Sequence, residues 1–139
     1  MEICLAASRQ QIQDCFAVMQ HLRPQFEVDQ FVEQVSQQMQ QGYHLAFVSL
    51  NNQVVGAAGF VIGTKLAWGK HLYVDDLVTD PQVRSSGVGK ALLDWLADFA
   101  MQHGCQQLHL DSGVQRFAAH KFYLREGMSI ASHHFSKPL

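Results

Sequence analysis

Apolar residues recur at helical spacing near the start of the chain. Ile12, Cys15, Phe16, Met19 and Leu22 share one face of a 3.6-residue period. Ser8 followed three residues later by Gln11 is a capping-box signature for that helix, and Pro24 interrupts it. A second helix is predicted with Asp29 as its cap, Phe31, Val32, Val35 and Met39 on one face, and Gly42 as its stop. The glutamine-rich "QQMQQG" is its solvated flank. The pattern then changes. "YHLAFVSL" and "QVVGAAGFVIG" flank Asn51-Asn52 and predict a hairpin on a short turn. "TKLAWGK" links to a third strand, "HLYVDDLVTD". A helix over 87–103 ends at Gly104. The strand "QQLHLDSG" follows, then a helix over 117–126 stopped by Gly127, and a last strand in "MSIASHHFS".

The predicted order is α α β β β α β α β. Its first half supplies an antiparallel meander. Its second half alternates strand and helix, as a partly parallel sheet demands. The fold class is therefore α/β of the α+β type, one mixed sheet of about six strands. Short connections and the absence of internal repeats make residues 1–139 a single domain.

Composition narrows the function. At 47% apolar and 16% charged residues the chain is a globular domain. A net charge of −2 argues against nucleic-acid and membrane partners, and no apolar run approaches the ~20 residues of a membrane helix. "MEICLAASRQ" lacks the basic region of a secretory signal. Cys4, Cys15 and Cys105 have no CxxC spacing and read as reduced thiols of a cytoplasmic protein. The eight histidines fall in no HxxxH or HExxH pattern. His133 and His134, as neighbours on a strand, would face opposite ways, so no metal is expected.

The candidate chemistry lies in "VRSSGVGKALLDWL", where two serines and two glycines run directly into a helix. The first turn of a helix presents unpartnered N–H groups and the positive end of its dipole, which suits an anion. Gly87 and Gly89 would let phosphate oxygens approach the backbone, Arg84 and Lys90 add charge, and Ser85 and Ser86 add hydroxyls. On composition alone a plain strand-to-helix turn explains the stretch equally well. Walker A and Rossmann spacings both fail: Ala91 follows Gly89-Lys90, and Leu92 stands where a third glycine belongs.

What remains, Arg84-x-x-Gly87-x-Gly89, resembles the pyrophosphate motif of the GNAT superfamily of acyl-CoA N-acyltransferases. "AAHKFYLREGM" is similar to that superfamily's AxxFYxxxGF segment through Ala119, Phe122, Tyr123 and Gly127, with Met128 in place of phenylalanine. "VDDLVTDPQVRSSGVG" is similar to the acidic strand and loop of diamine and aminoglycoside acetyltransferases. The element order agrees over essentially the whole chain.

The resemblance implies a partly splayed sheet with helices on both faces. It also implies direct transfer of an acetyl group from acetyl-CoA to an amine, without a metal. The pyrophosphate would meet the amides of Ser85, Ser86, Gly87, Val88, Gly89 and Lys90, with Arg84 beside them. The pantetheine arm would pair with the strand edge at Leu77, Val78 and Thr79, where an N–H could also polarise the thioester carbonyl. Ala119 and Phe122 fall among the cofactor contacts. Tyr123 would protonate the leaving thiolate; without the resemblance it reads as a packing aromatic. Many relatives carry asparagine seven residues before that tyrosine. Arg116 stands here instead, removing that contact and offering a guanidinium to a phosphate.

The acceptor ammonium must lose a proton. Asp75 and Asp76 lie mid-strand, where aspartate is disfavoured. Alternation would point only one of them at the site, unless a bulge brings in both. Asp75 is assigned as base or water-holder and Asp76 as a substrate-ammonium contact. Arg23, Phe26 and Glu27, from the helical segment that covers the sheet, are assigned to acceptor binding, with Asp111 and His120 as weaker candidates. Two aspartates favour an amine, and Arg23 could pair with a carboxylate. The expected partner is thus a small-molecule or peptide amine, and a homodimer stays open. The alternatives are transfer of another acyl group or to another acceptor, a non-catalytic acyl-CoA-binding module, and an interaction domain whose glycine-rich turn is only a turn.

Overall fold

The computed structural model describes residues 1–84 and 86–139. Two compact units make up the chain, Met1–His109 and Leu110–Leu139.

The first unit opens with a short strand, β1 (Ile3–Leu5). Three helices follow: α1 (Arg9–Asp14), α2 (Phe16–Leu22) and α3 (Val28–Gln40). Next comes a meander of β2 (His44–Leu50), β3 (Gln53–Lys65) and β4 (Gly69–Thr79). A 3-10 turn (Pro81–Val83) leads into α4 (Val88–Gln102), and β5 (Gln107–Leu110) completes the order β1-β2-β3-β4-β5. The three pairs from β1 to β4 are antiparallel. The sheet has five strands where about six were expected.

Local chemistry accounts for most of these elements. The Ser8 Oγ accepts from the Gln11 N–H (3.1 Å), and Gln11 Oε1 accepts from the Ser8 N–H (3.1 Å), closing the capping box. The predicted first helix breaks at Cys15, which is fully buried. Burial pushes the Cys15 thiol up to about 12, with Asp14 adding to the shift, so it packs as a small hydrophobe. The N-cap of α3 is Glu27 rather than the expected Asp29. In the hairpin turn Asn51 and Asn52 have φ of 53° and 62°, a left-handed pair that matches the strand twist and that asparagine tolerates.

Helices cover both faces of this sheet. Leu45 and Ala57 pack with Ile12, Val18, Met19 and Phe31 of the first three helices. On the other face a Cβ placed on Gly56 would lie 2.6 Å from Val88 Cγ1 and 3.0 Å from Leu92 Cδ1 of α4. Phe60 meets Phe99 edge-on at 5.2 Å there. Missing side chains on β3 therefore let α4 approach closely.

The second unit holds α5 (Phe117–Arg125), stopped at Gly127 with φ 91°. The strand expected over 128–136 does not form, and residues 129–139 are all exposed. The argument that set His133 and His134 on opposite faces of a strand falls with it.

Candidate active site

Strand β4 changes phase in its middle. Val74 pairs with Phe60 and Asp76 pairs with Gly59, so Asp75 is an extra residue, a β-bulge. Before it Leu72 and Val74 are buried; after it Val78 joins the cluster packed by the first three helices. The bulge thereby turns Asp76 inward on the helical side and leaves Asp75 exposed at a bend. A bulge is the irregularity by which both aspartates could reach one site.

Asp76 is held from two directions. Its Oδ1 accepts from Arg23 Nε at 2.9 Å, and its Oδ2 accepts from the Tyr43 hydroxyl at 2.7 Å. Arg23 also donates through Nη2 to the Asp75 carbonyl oxygen at 3.0 Å, clamping the bulge itself. Gly59 makes room for this, since a Cβ there would lie 1.7 Å from the Tyr43 hydroxyl and 2.7 Å from Asp76 Oδ2. Tyr43 is only 4% exposed, and its phenol is raised well above its ordinary value, first by burial and then by the Asp76 charge.

A cavity of about 230 Å³ opens onto this network. Its walls include Arg23, Phe26, Gln34, Gln38, Asp75 and Asp76. The Asp75 carboxylate accepts no hydrogen bond from the described residues. Partial desolvation at the cavity and then the neighbouring Asp76 raise its pKa, against a lowering by Arg23. A carboxylate with a raised pKa at the mouth of a cavity is a stronger proton acceptor than an ordinary aspartate.

Beyond the bulge, Leu77, Val78 and Thr79 pair with Ala58, Ala57 and Gly56 of β3. The side chain of Asp80 caps the 3-10 turn through the Gln82 N–H (2.9 Å). Both the hydroxyl and the N–H of Ser86 donate to the Val83 carbonyl, so Ser86 serves the turn. Gly87 is the N-cap of α4 at φ 86°, with nothing within 4 Å of a Cβ built on it. That open space, beside first-turn amides that have no acceptor within the helix, fits a diphosphate. The Val88 side chain is buried, leaving only its backbone for a ligand. Lys90 pairs with Asp94 one turn along (2.9 Å), and Arg84 is exposed. Ser85 lies outside the described residues.

In the second unit Tyr123 is half-buried on α5, its pKa raised by burial and lowered in part by Arg116. Phe122 packs beside it at 5.4 Å, and Ala119 is half-buried on the same helix. Asp111 lies 3.5 Å from the His134 ring, and His120 Nε2 meets the Gly113 carbonyl at 2.7 Å. Among the described residues no group of three or more His, Cys, Asp or Glu could hold a metal ion.

Four of the residues singled out from sequence meet at one cavity: Arg23, Phe26, Asp75 and Asp76. Glu27 does not line it; it caps α3, its N–H donating to Gln30 Oε1 (3.2 Å). Sequence reasoning missed Tyr43, Gln34, Gln38 and Gly59. Two glycines in the apolar run "GAAGF" were the available signal, since mid-strand glycine marks close approach by other groups.

Solved structures share this fold. The ribosomal-protein-alanine N-acetyltransferase of Brucella melitensis biovar Abortus 2308 superimposes with a TM-score of 0.85, covering 100% of both chains at 18% identity. The aminoglycoside N-acetyltransferase AAC(6')-Iy in complex with CoA gives 0.85 over 99% of this chain and 95% of that one, at 12% identity. The model of the acetyltransferase (GNAT) family matches residues 10–128. An uncharacterized N-acetyltransferase of Bacillus subtilis (strain 168), YhdJ, is 31% identical over 134 residues, 95% of this chain and 94% of its own. The chain belongs to the acetyltransferase (GNAT) family and is an acyltransferase.

Proposed function

We propose that the protein moves an acetyl group from acetyl-CoA directly to the primary amine of a small molecule or peptide within a ternary complex. The carrying observation is Asp75: an extra residue in β4, with its carboxylate at the mouth of a cavity and its pKa raised by burial and by Asp76. Such a group takes the proton that an acceptor ammonium must shed before its lone pair can attack the thioester carbon. The backbone at Leu77–Thr79 receives the pantetheine arm and an N–H there meets the developing oxyanion. The amides from Gly87 to Lys90 and the Arg84 guanidinium receive the diphosphate, while the Ser86 N–H is held by the Val83 carbonyl. Tyr123 supplies the proton for the departing thiolate, a role that rests on its match to the family segment. Acetyl-CoA, when bound, supplies the activated acyl group.

The test is thiol release from acetyl-CoA across a panel of primary amines. Amine-dependent release should appear. Tyr123→Phe should slow turnover about tenfold or more while CoA affinity measured by calorimetry stays the same. Thiol release that is independent of every amine would overturn the reading.

A further inference from the structure

The cavity's charges are unevenly committed. Arg23 is its cation; its Nε and Nη2 donate to Asp76 Oδ1 and the Asp75 carbonyl, so Asp76 balances its charge. Tyr43 takes the other Asp76 oxygen. Arg23 and Asp76 thus cancel, and Asp75 is the one carboxylate left uncompensated among the charged residues of the wall. The α3 wall carries amides. Gln34 Nε2 donates to Gln38 Oε1 at 3.0 Å, one helical turn apart, which leaves Gln34 Oε1 as an acceptor and Gln38 Nε2 as a donor. Phe26 and Phe31, 6.5 Å apart and edge to face, form the apolar floor.

We infer that the acceptor is a small monoamine whose remaining surface is uncharged and hydrogen-bonding, and that the Arg23–Asp76–Tyr43 bridge enforces this by setting the Asp76 charge against the guanidinium. The inference rests on the proposed transfer to an amine and specifies which amine. An acceptor carboxylate would meet a guanidinium whose charge Asp76 already balances, and would face the uncompensated Asp75. A second ammonium would meet neutral glutamine amides in place of a second carboxylate. An uncharged amide or hydroxyl group finds both a donor and an acceptor on α3. The volume of about 230 Å³ falls below the ~300–1,000 Å³ usual for larger ligands, in keeping with a small body.

The experiment compares glycinamide, glycine and 1,4-diaminobutane as acceptors, with kcat/KM expressed per unprotonated amine. Glycinamide should exceed glycine by about tenfold or more, with the diamine no better than glycinamide. Asp76→Asn releases Arg23 and should narrow the glycinamide-to-glycine ratio. Gln38→Arg, a change at a partly exposed helical position that leaves the buried bridge intact, should narrow it as well by placing a new cation on the wall. Equal or better use of glycine by the natural protein, a preference for the diamine, or a ratio unmoved in both variants would overturn this inference while leaving amine acetylation standing. Transfer to no amine at all would overturn the proposed function, and this inference with it.

Discussion

At the scale of single residues, Asp75 carries an opposition between stability and chemistry. Burial and Asp76 raise its pKa above the ordinary aspartate value of 3.8. A raised pKa in the folded state means that the folded protein holds the proton longer than the unfolded chain. The associated stability is complete below the ordinary value and is lost as pH rises through the raised one. Asp75→Asn should therefore melt higher than the natural protein at pH 7, with the difference shrinking toward pH 4, while turnover falls about 10²-fold and the acid limb of kcat/KM disappears. Thermal unfolding and rate profiles on the same preparations check both halves. The site was half legible in the sequence at this scale. Two adjacent aspartates in a strand announced themselves because the position disfavours them. Tyr43 did not, because at the start of "YHLAFVSL" it is indistinguishable from any strand aromatic.

At the scale of elements, the hairpin turn sets a limit on stability that can be relieved. Asn52 sits at φ 62°, where glycine pays no steric penalty and where the favoured partner after asparagine is glycine. Asn52→Gly should raise the unfolding free energy by about 0.5 kcal/mol, read as a shift in urea midpoint with an unchanged slope. Long periodic segments were read correctly because the 3.6 and 2.0 repeats are strong over ten residues. The errors fall where pairing decides. β1 spans three residues, Ile3–Leu5, too short for any period, and exists because Leu5, Cys4 and Ile3 lie against Ala46, Phe47 and Val48. "MSIASHHFS" has strand composition but forms no ladder. The β4 bulge was invisible as a pattern, since Leu72, Val74 and Val78 keep one parity in the sequence while the backbone changes face between them.

At the scale of the molecule, the two units differ in how much they bury. Met1–His109 contains every fully buried side chain among the described residues, whereas Leu110–Leu139 has none. Local opening is easiest where few apolar contacts resist it. Hydrogen exchange should therefore release the α5 amides well before those of β2, β3 and β4, and a uniform exchange rate across both units would contradict this. The family was readable at this scale because its two motifs fall on the right elements in the right order. The acceptor was not, because the specificity proposed for it rests on Tyr43, Gln34 and Gln38, which lie on elements distant in sequence from the motifs and meet only in three dimensions.

Gly56 joins these scales. The bare backbone of β3 at that position seats the Val88 and Leu92 side chains, one step past the glycine cap of α4. The height of the helix above the strands, and with it the aim of its leading amides, is thus fixed by an absent methyl group some thirty residues earlier in the chain. On the proposed function, affinity for the acyl donor is in this sense partly written in a strand that need never touch it.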